Sequence, residues 1–547
     1  QNPHYDREDL ALFLGVEVER IRVVQAETGG GFGGKLDLSV QPFLALAAWH
    51  LHRPVRMCFT REESFVATAK RHPFRMRFTT GADDRGRLTA VKADMLSDTG
   101  AFASYGSAVN ARAAVHATGP YVVPNVHVRC RMAYTNNAWN GAMRGFGVPQ
   151  AALAHEGQMD ALARRLDMDP LEIRVLNALR NGSRTATGQL LKSGVGMVQC
   201  LEKIRPIYEN WRRRATSDRN RLEGVGVAGM FYGIGNTGVS NPSTAQLEWT
   251  RKGKLILYTG AADIGQGSDT VLRQLAATRL GLEPDRIKLC RGDTDRTTSS
   301  GATSASRQTY ISGNAVLAAA DNLEMRILDG AREVLGRRHL ELELKGDHVV
   351  SRDDPDVCMD VNEVVRVMTG RGKIIKGNGR FDPNVTSLDP ETGQGRPYAT
   401  YAFAAQCARV NVDTASGMTH VSEVAAAHDV GRAVNPRAVT GQICGGVLMG
   451  VGMALMEDFQ TGRTENLQHY HIPTSADAPR VTPFIVEEPE ETGPFGAKGV
   501  GEPALIPTAP AVASAVSRAI GRPMRHLPIS LERIMEALNS GREVDRP

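Results

Sequence analysis

Residues 29–35 read Gly-Gly-Gly-Phe-Gly-Gly-Lys, five glycines in seven positions. An alternating apolar segment, residues 20–25, precedes this run and predicts a strand, and residues 39–52 follow it with apolar side chains at helical spacing. A strand that leads through glycines into a helix N-terminus exposes backbone N–H groups and the positive end of the helix dipole. The segment therefore predicts a site for phosphate or another oxyanion.

Two common phosphate-binding motifs fit this run poorly. The P-loop needs Ser or Thr after its lysine, to bind Mg²⁺, but Lys35 is followed by Leu36. This mismatch disfavours an ATPase. The dinucleotide pattern G-x-G-x-x-G matches loosely, but no acidic residue follows at the spacing that pattern requires. For this run alone, a tight structural turn is an equally good interpretation.

Four further segments of the chain are also rich in glycine and other small residues. They are residues 142–150, 262–267, 301–309 and 499–503. The last contains a single carboxylate, Glu502, between Gly501 and Pro503. Five such segments, dispersed along the chain, predict a large, polar, phosphate-bearing ligand that backbone groups bind from many directions.

Periodicity predicts a mixed α+β fold. Residues 75–98 are typical of a hairpin, and residues 255–258 of a strand that leads into Gly265-Gln266-Gly267. Helices are predicted over residues 149–166, 169–181, 268–280, 441–456 and 509–520. We expect two glycine-turn units, after residues 20–25 and 255–258, to face a shared cleft.

Composition narrows the function classes. The 547 residues carry 65 basic and 60 acidic side chains, a formal charge of +5 that is scattered along the chain, which argues against nucleic-acid binding. The 7 cysteines form no CxxC pair, so a disulfide framework, a zinc ribbon and an iron–sulfur cluster carried by this chain alone are excluded. Reduced thiols favour a cytoplasmic location. No uninterrupted apolar run reaches about 18 residues, which argues against a membrane span.

The five segments, in this order and spacing, closely resemble the molybdenum-cofactor-binding subunit of the xanthine oxidase, or molybdenum hydroxylase, family. The resemblance implies two elongated mixed α/β domains with the cofactor at their interface. We assign them to residues 1–182 and 226–547, with a linker over residues 183–225. It also implies molybdopterin or its cytosine dinucleotide, with molybdenum held by the pterin dithiolene and by no side chain directly.

Carried over by position, the resemblance implies roles for individual residues. Glu502 corresponds to the general base, and Arg144 lines the metal side with Phe146, which would stack on an aromatic substrate. The remaining segments are expected to surround the cofactor. These residues are Gly31, Phe32, Gly33, Gly265, Gln266, Gly267, Ala305, Ser306, Arg307, Gln308 and Gln442.

Several departures bear on the substrate. Purine-oxidising members have Glu where this chain has Leu36, whereas aldehyde-oxidising members have a non-acidic residue there. Arg112 aligns with a substrate-binding arginine, and a second stacking aromatic is expected at Phe231 or Tyr232. The copper-ligating loop of carbon monoxide dehydrogenases is absent from residues 142–146, and residues 302–309 look most like the nicotinate and purine hydroxylase branch.

These features predict a hydroxylase of N-heteroaromatic compounds that takes its oxygen from water. The alternatives are an aldehyde oxidoreductase of the same family and a non-catalytic structural paralogue. The resemblance also implies partners. In this family a further N-terminal portion, with a Gly-Gln motif, precedes the segment that begins here. We expect another chain to supply it and to complete the active site. Iron–sulfur and flavin subunits, with 2Fe–2S clusters and FAD, would accept the electrons.

Overall fold

The computed structural model describes residues 1–540. These residues contain thirteen α-helices and fourteen strands, together with five short 3-10 or π-helical turns. The helices are α1 (Pro3–Leu14), α2 (Gln41–Leu51), α3 (Arg61–Ala67), α4 (Gly106–Val115), α5 (Val148–Arg165), α6 (Pro170–Asn177), α7 (Met197–Arg214), α8 (Ser268–Leu280), α9 (Gly313–Leu335), α10 (Val361–Gly370), α11 (Pro436–Leu455), α12 (Thr508–Ile520) and α13 (Leu531–Asn539). The strands are β1 (Phe74–Ala82), β2 (Leu88–Gly100), β3 (Asn125–Tyr134), β4 (Arg221–Gly233), β5 (Ser243–Trp249), β6 (Leu255–Thr259), β7 (Ile287–Arg291), β8 (Leu342–Lys345), β9 (His348–Ser351), β10 (Cys358–Asp360), β11 (Lys376–Phe381), β12 (Tyr401–Asp413), β13 (Thr419–Asp429) and β14 (Arg480–Val486).

The N-terminal part is built on the predicted hairpin. Strands β1 and β2 pair antiparallel, β3 adds parallel to β2, and α4 and α5 pack against this sheet. The prediction of a strand over residues 20–25 is wrong. That segment forms only an isolated bridge between Val24 and Asp293, because no second strand lies alongside it among the described residues.

Two four-stranded sheets form the rest of the core, and they have the same arrangement. One has the order β11-β5-β6-β7 and the other β4-β12-β13-β14. In each, the first two pairings are antiparallel and the last is parallel. In each, one helix connects the parallel strands, α8 or α11, and a long loop then leads to a helix, α9 or α12.

Glycines on β4 and β11 let a helix lie directly on each of the two sheets. On β4, a Cβ at Gly224 would fall 2.0 Å from the Ala515 carbonyl oxygen of α12. On β11, a Cβ at Gly379 would fall 2.0 Å from the Ala315 carbonyl oxygen of α9. Neither strand position accepts a side chain, so the alanine-rich helices approach the sheets closely.

Two elements differ from the sequence expectations. Helix α7 lies in the stretch predicted as a linker and packs its apolar face on the sheet that contains β12; the division into domains stays a prediction. Among the described residues, α11 is long and apolar enough to span a membrane by length and composition. It contains no uninterrupted apolar run of about 18 residues, because Thr440 and Gln442 interrupt its sequence. Ile443, Val447 and Val451 of α11 are buried in the protein core.

Candidate active site

The first two small-residue segments interlock. The Arg144 N–H donates to the Phe32 carbonyl over 2.7 Å. Gly33 has φ +104°, and a Cβ there would lie 2.7 Å from the Ala142 carbonyl oxygen. Only glycine meets both conditions, so this position holds the two backbones in contact.

The third segment joins the first through its backbone and begins α8. The Gly30 N–H donates to the Ile264 carbonyl over 2.9 Å. The Asp263 carboxylate accepts the N–H groups of Gly265, Gly267 and Asp269, so it holds this turn and the first residues of α8. The Gln266 side chain also bonds within its own turn, to Ile264 and Ser268.

The fourth segment is a strained loop held by a buried arginine. Ala305 and Ser306 have φ of +51° and +52°, a left-handed conformation that L-residues seldom adopt. The Arg307 guanidinium donates to the carbonyls of Ser300, Asn241 and Pro242. Burial lowers the pKa of Arg307 to about 10. These bonds supply the surrounding restraint that keeps the loop in its strained shape.

Beside this loop lies the fifth segment. A Cβ at Gly499 would fall 1.8 Å from the Ser306 carbonyl oxygen, so the two backbones touch. The Ser306 hydroxyl accepts the Glu502 N–H and donates to the Glu502 carboxylate, both at 3.0 Å. Glu502, the predicted base, is thereby fixed in position, and one carboxylate oxygen remains outside this bond.

Arg144 connects the second and fifth segments with α11. Its Nε donates to the Gly501 carbonyl over 2.6 Å, and its Nη2 lies 3.3 Å from the Gln442 side-chain oxygen. Burial lowers the pKa of Arg144 to about 10, which leaves it charged near neutral pH, and the Glu502 carboxylate opposes that shift. Arg71 donates to the Arg144 carbonyl over 2.9 Å. Three predicted site residues thus meet here.

A cleft of about 50 Å³ lies where three of the segments approach α11. Its lining includes Gln266, Thr309, Gln442, Asn435 and Val500. Gln266 directly precedes the N-terminal end of α8, and Asn435 is the N-cap of α11, whose side chain accepts the Ala438 N–H. Two helix N-termini beside one cleft favour a phosphate or another anion.

A buried ion pair supports the wall of this cleft. Lys498 Nζ donates to the Asp429 carboxylate over 2.5 Å, and both side chains are wholly buried. The same carboxylate accepts the N–H groups of Gly196 and Gly431. Burial raises the pKa of Asp429, and Lys498 opposes this shift. The pair holds the start of residues 498–502 against the end of β13.

Arg112, which lies near Glu502, is buried against three aromatic rings. Its Cζ lies 4.8, 5.1 and 5.6 Å from the ring centroids of Tyr232, Tyr398 and Phe146. The guanidinium donates to the carbonyls of Gly233 and Gly235. Burial alone would lower the pKa of Arg112, but nearby Tyr232, Tyr398 and Glu502 outweigh that effect. The pKa is raised overall, and Arg112 stays charged.

Phe231 and Tyr232 lie on opposite faces of β4, because successive strand residues alternate. Phe231 packs in the core, with its centroid 4.6 Å from that of His116 and 5.3 Å from that of Tyr401. Tyr232 instead faces Arg112. The structure therefore brings Tyr232, and not Phe231, to the site. Leu36 is only 5% exposed, and its carbonyl accepts the Asn2 side-chain N–H.

The sequence indicates neither the contact that Ser306 makes nor two neighbours of the site, His116 and Arg71. The resemblance assigns Ser306 to the pterin, and in the structure its hydroxyl bonds to Glu502. His116 accepts the Gly233 N–H and bonds to the Arg112 carbonyl. Arg71 donates to the Arg144 carbonyl. The bond from Gly233 to His116 and the bond from Arg71 to Arg144 each join distant segments, which periodicity and motif spacing do not report.

Family models described as molybdopterin cofactor-binding domain match residues 1–178 and 199–479. The nicotinate dehydrogenase large molybdopterin subunit of Eubacterium barkeri is 57% identical over 205 residues, 38% of this chain and 48% of that protein. A putative xanthine dehydrogenase molybdenum-binding subunit of Escherichia coli K12 is 33% identical over 98% of this chain and 72% of that protein.

Solved structures of oxidoreductases also resemble this chain along most of its length. The aldehyde oxidoreductase of Desulfovibrio gigas superposes with a TM-score of 0.88 at 30% identity, covering 98% of this chain and 57% of that chain. Quinoline 2-oxidoreductase of Pseudomonas putida 86 superposes with a TM-score of 0.89 at 26% identity, covering 100% of this chain and 72% of that chain. The chain thus spans about half to three quarters of the length of these relatives.

Proposed function

This chain belongs to the xanthine dehydrogenase family of molybdenum hydroxylases, and from that membership we propose that it is a catalytic subunit that hydroxylates an N-heteroaromatic substrate with water as the oxygen source. The observation that carries the proposal is the fixed carboxylate of Glu502 at the meeting point of the small-residue segments.

The residues present suit the cofactor. Gly33 and Gly499 leave no room for a side chain, so backbone groups line the site, and the cleft beside α8 and α11 faces two helix N-termini. We expect Gln266, Gln442 and residues 31–33 and 305–308 to hold the molybdopterin. When bound, this group supplies a two-electron acceptor and activates water. A mono- or dinucleotide form would suit the anion-favouring ends of the two helices equally.

In this mechanism, Glu502 takes the proton of the attacking hydroxyl. Ser306 fixes the carboxylate for that transfer, and the second carboxylate oxygen is available to accept the proton. Arg144, charged and bound to the Gly501 carbonyl, maintains a positive field beside the carboxylate. Phe146, near Arg112, offers a ring face to an aromatic substrate.

A nicotinate- or purine-like substrate suits the buried cation of Arg112, which can bind a carboxylate or negative charge that develops on the ring. An aldehyde is the second candidate, because Leu36 supplies an apolar wall where an acidic side chain would recognise a purine. A non-catalytic paralogue would have no use for a carboxylate held as Glu502 is.

We also propose a cytoplasmic location and partner polypeptides, namely an iron–sulfur subunit, an FAD subunit and a polypeptide that covers the N-terminal region. The surface of α2 supports the last of these. Between residues 12 and 71 only Gly33 and Leu36 are buried, and Phe43, Trp49 and Leu51 of α2 are 60%, 44% and 59% exposed. Within the described range, no backbone N–H of residues 55–59 makes a hydrogen bond. An exposed apolar helix face, followed along the chain by backbone N–H groups without hydrogen-bond partners, suits a covering polypeptide.

Glu502→Gln tests the proposed function. The amide keeps the shape of the side chain but cannot accept the proton, so we expect full molybdenum content with turnover reduced by about 10²–10⁴-fold. Metal analysis of the purified complex and dye reduction with nicotinate, hypoxanthine, xanthine and simple aldehydes measure both quantities. Wild-type turnover in a fully loaded variant would disprove the role of Glu502, and a complex without molybdenum would disprove the enzyme class.

A further inference from the structure

A buried polar cluster lies against the turn that follows Glu502. It consists of Gln406 on β12, His428 on β13 and Thr508, the first residue of α12, and all three are fully buried. Gln406 lies opposite Ala426 in the ladder of β12 and β13, and His428 is two residues further along β13. Both side chains therefore share the face that packs against α11 and α12. Polar groups in such a layer are destabilising unless they are hydrogen-bonded, so the bonds of the cluster explain its presence.

The Gln406 amide joins the sheet to this turn. Its Nε2 donates to the Ala504 carbonyl over 3.0 Å, and its Oε1 accepts the Thr508 hydroxyl over 2.7 Å. Ala504 lies in the short helical turn Pro503–Leu505, which directly follows Glu502. Gln406 therefore holds the main chain two residues after the proposed base, and it does so from an inner strand of the sheet.

These bonds fix the direction in which the amide points. A carbonyl oxygen can only accept, so the amide nitrogen of Gln406 must face Ala504. Its second N–H then points to His428 Nε2, 3.1 Å away, which accepts it. Neutral His428 therefore carries its proton on Nδ1. Burial lowers the pKa of His428 to about 3, and the charge of Arg144 adds to this effect, so the ring stays an acceptor near neutral pH.

Stability alone does not account for this cluster. The His428 Nδ1 donor is buried and has no acceptor among residues 1–540. An unpaired buried donor is destabilising, and apolar side chains of similar shape in place of His428 and Gln406 would remove it. What such side chains could not supply is the bond that holds the turn at Ala504.

We propose that Gln406 is a positioning residue for Glu502. His428 and Thr508 act through it, because they orient its amide. This assignment rests on the proposed function, in which the Glu502 carboxylate takes the proton of the attacking hydroxyl. Ser306 fixes that carboxylate from the loop before α9, and Gln406 fixes the main chain that follows it from β12. A carboxylate displaced by about 1 Å would lose much of its efficiency as a base.

Gln406→Met tests the assignment, because it removes the amide and keeps most of the side-chain volume. Asn177→Leu is the matched control. The Asn177 amide is also buried and bonded at both ends: it donates to the Gly86 carbonyl and accepts the Leu88 N–H, each over 2.8 Å. These partners lie outside the five small-residue segments. Both variants leave backbone groups unpaired, so both should lower the midpoint of urea unfolding.

Hydrogen exchange, measured by mass spectrometry on the purified complex, reports on the turn independently of activity. The N–H groups of Leu505 and Ile506 donate within the turn, to Glu502 and Pro503. Gln406→Met should speed their exchange about tenfold, and Asn177→Leu should leave it unchanged.

Steady-state kinetics, with the compound that the wild type oxidises, report on the base. Gln406→Met should lower kcat about 10–100-fold, with KM within twofold and molybdenum content near that of the wild type. Asn177→Leu should leave kcat within twofold.

Two further comparisons separate positioning from packing. His428→Gln offers an oxygen to the second amide N–H and should retain kcat within about threefold, whereas His428→Leu offers no acceptor and should lower kcat about tenfold. In a Glu502→Gln background, Gln406→Met should change the residual turnover less than twofold, because it acts through the Glu502 carboxylate.

The assignment is overturned if exchange at Leu505 and Ile506 is unaltered in Gln406→Met, or if the two His428 variants have the same kcat. It is also overturned if Gln406→Met lowers turnover as much in the Glu502→Gln background as in the wild type. Faster exchange in Gln406→Met, together with wild-type turnover by a fully loaded Glu502→Gln variant, would sink the proposed function and leave the hold of Gln406 on the turn standing.

Discussion

The Ser306 hydroxyl contacts Glu502 twice, accepting its backbone N–H and donating to its carboxylate at 3.0 Å each. A single serine therefore fixes both the main chain and the side chain of the proposed base. Ser306 achieves this from a left-handed backbone, φ +52°, that Arg307 and its carbonyl partners maintain. In this left-handed conformation the Ser306 hydroxyl lies within hydrogen-bond distance of the Glu502 carboxylate.

Ser306→Ala should reduce kcat about ten- to a hundredfold, because the carboxylate loses the bond that orients it for proton transfer. Molybdenum content is expected to stay near that of the wild type. Ser514→Ala, a buried serine inside α12, is the control and should leave kcat unchanged. Stopped-flow reduction of the loaded complex measures the step, and an unaltered rate in Ser306→Ala would contradict the positioning role.

Gly499→Ala should destabilise the protein by about 1–3 kcal/mol, the usual cost of overpacking, and should lower cofactor content. Its Cβ would fall 1.8 Å from the Ser306 carbonyl oxygen, so one of the two loops must move. Gly157→Ala is the control, since nothing lies within 4 Å of that position in the interior of α5. That variant should gain about 0.5–1 kcal/mol. Thermal unfolding and metal analysis compare the two, and equal stability would refute the contact.

Lys498→Met should destabilise the protein by about 3–5 kcal/mol, because it leaves the Asp429 carboxylate buried without its counter-ion. Adding Asp429→Asn should recover part of the loss, since the amide carries no charge and can still accept one of the two N–H groups. Urea unfolding of the single and double variants gives the comparison. A double variant less stable than Lys498→Met would show that the charge itself is not what destabilises.

Lowering the pH should reduce the free energy of unfolding, because His116 binds a proton more readily in the unfolded chain than in the folded one. Burial lowers the pKa of His116 to about 3, whereas an unfolded histidine has a pKa of about 6.5. Below pH 6.5 the unfolded chain binds a proton at this site that the folded chain does not, so the stability that His116 contributes is present above pH 6.5 and is lost as the pH falls toward 3. The free energy of unfolding is therefore expected to lose about 1.4 kcal/mol per pH unit more in the wild type than in His116→Gln between pH 6 and 4.

Thermal or urea unfolding of both proteins in the same buffers across this pH range gives the difference in their free energies of unfolding. That difference is the contribution of the proton that binds His116. The comparison is needed because other buried groups shift in the opposite direction; burial raises the pKa of Asp6 to about 6, for example. Identical pH slopes for wild type and His116→Gln would show that His116 is not the neutral, buried group described above.

The apolar face of α2 makes a prediction about assembly. A photo-crosslinking amino acid at position 43, 60% exposed, should form an adduct with a polypeptide segment outside these 547 residues when the complex is isolated intact. The same label at position 374 is the control, because Ile374 is 65% exposed and lies just before β11, far along the chain from α2. Mass spectrometry identifies the adducts. Adducts only within these residues would argue against a covering partner.

Much of this could be predicted from the sequence, where local pattern decides the structure. Helix α8 begins and ends where periodicity and glycine signals predict, at Ser268 and Leu280, and the hairpin of β1 and β2 follows its turn at Asp83–Gly86. The family, its cofactor-binding domains and the α+β class are confirmed. The site residues stay predictions that the geometry supports.

What the sequence did not predict depends on contacts between distant segments. Residues 20–25 alternate like a strand, but a strand needs a neighbour, and only Val24 bridges to Asp293. The choice between Phe231 and Tyr232 depends on which face of β4 meets α4, and alternation alone does not fix it. The link from Ser306 to Glu502 spans 196 positions of the chain. Neither propensity nor spacing carries information over that distance.

The two four-stranded sheets share one arrangement of strands and helices. Ser306 lies in the loop between β7 and α9, and Glu502 lies in the corresponding loop between β14 and α12. The proposed base and the serine bonded to it therefore occupy corresponding loops of two sheets that share one arrangement. Each of these loops leaves the parallel edge strand of its sheet and leads to the helix that packs on that sheet. A change in either loop therefore acts on one shared contact, the pair of hydrogen bonds between Ser306 and Glu502.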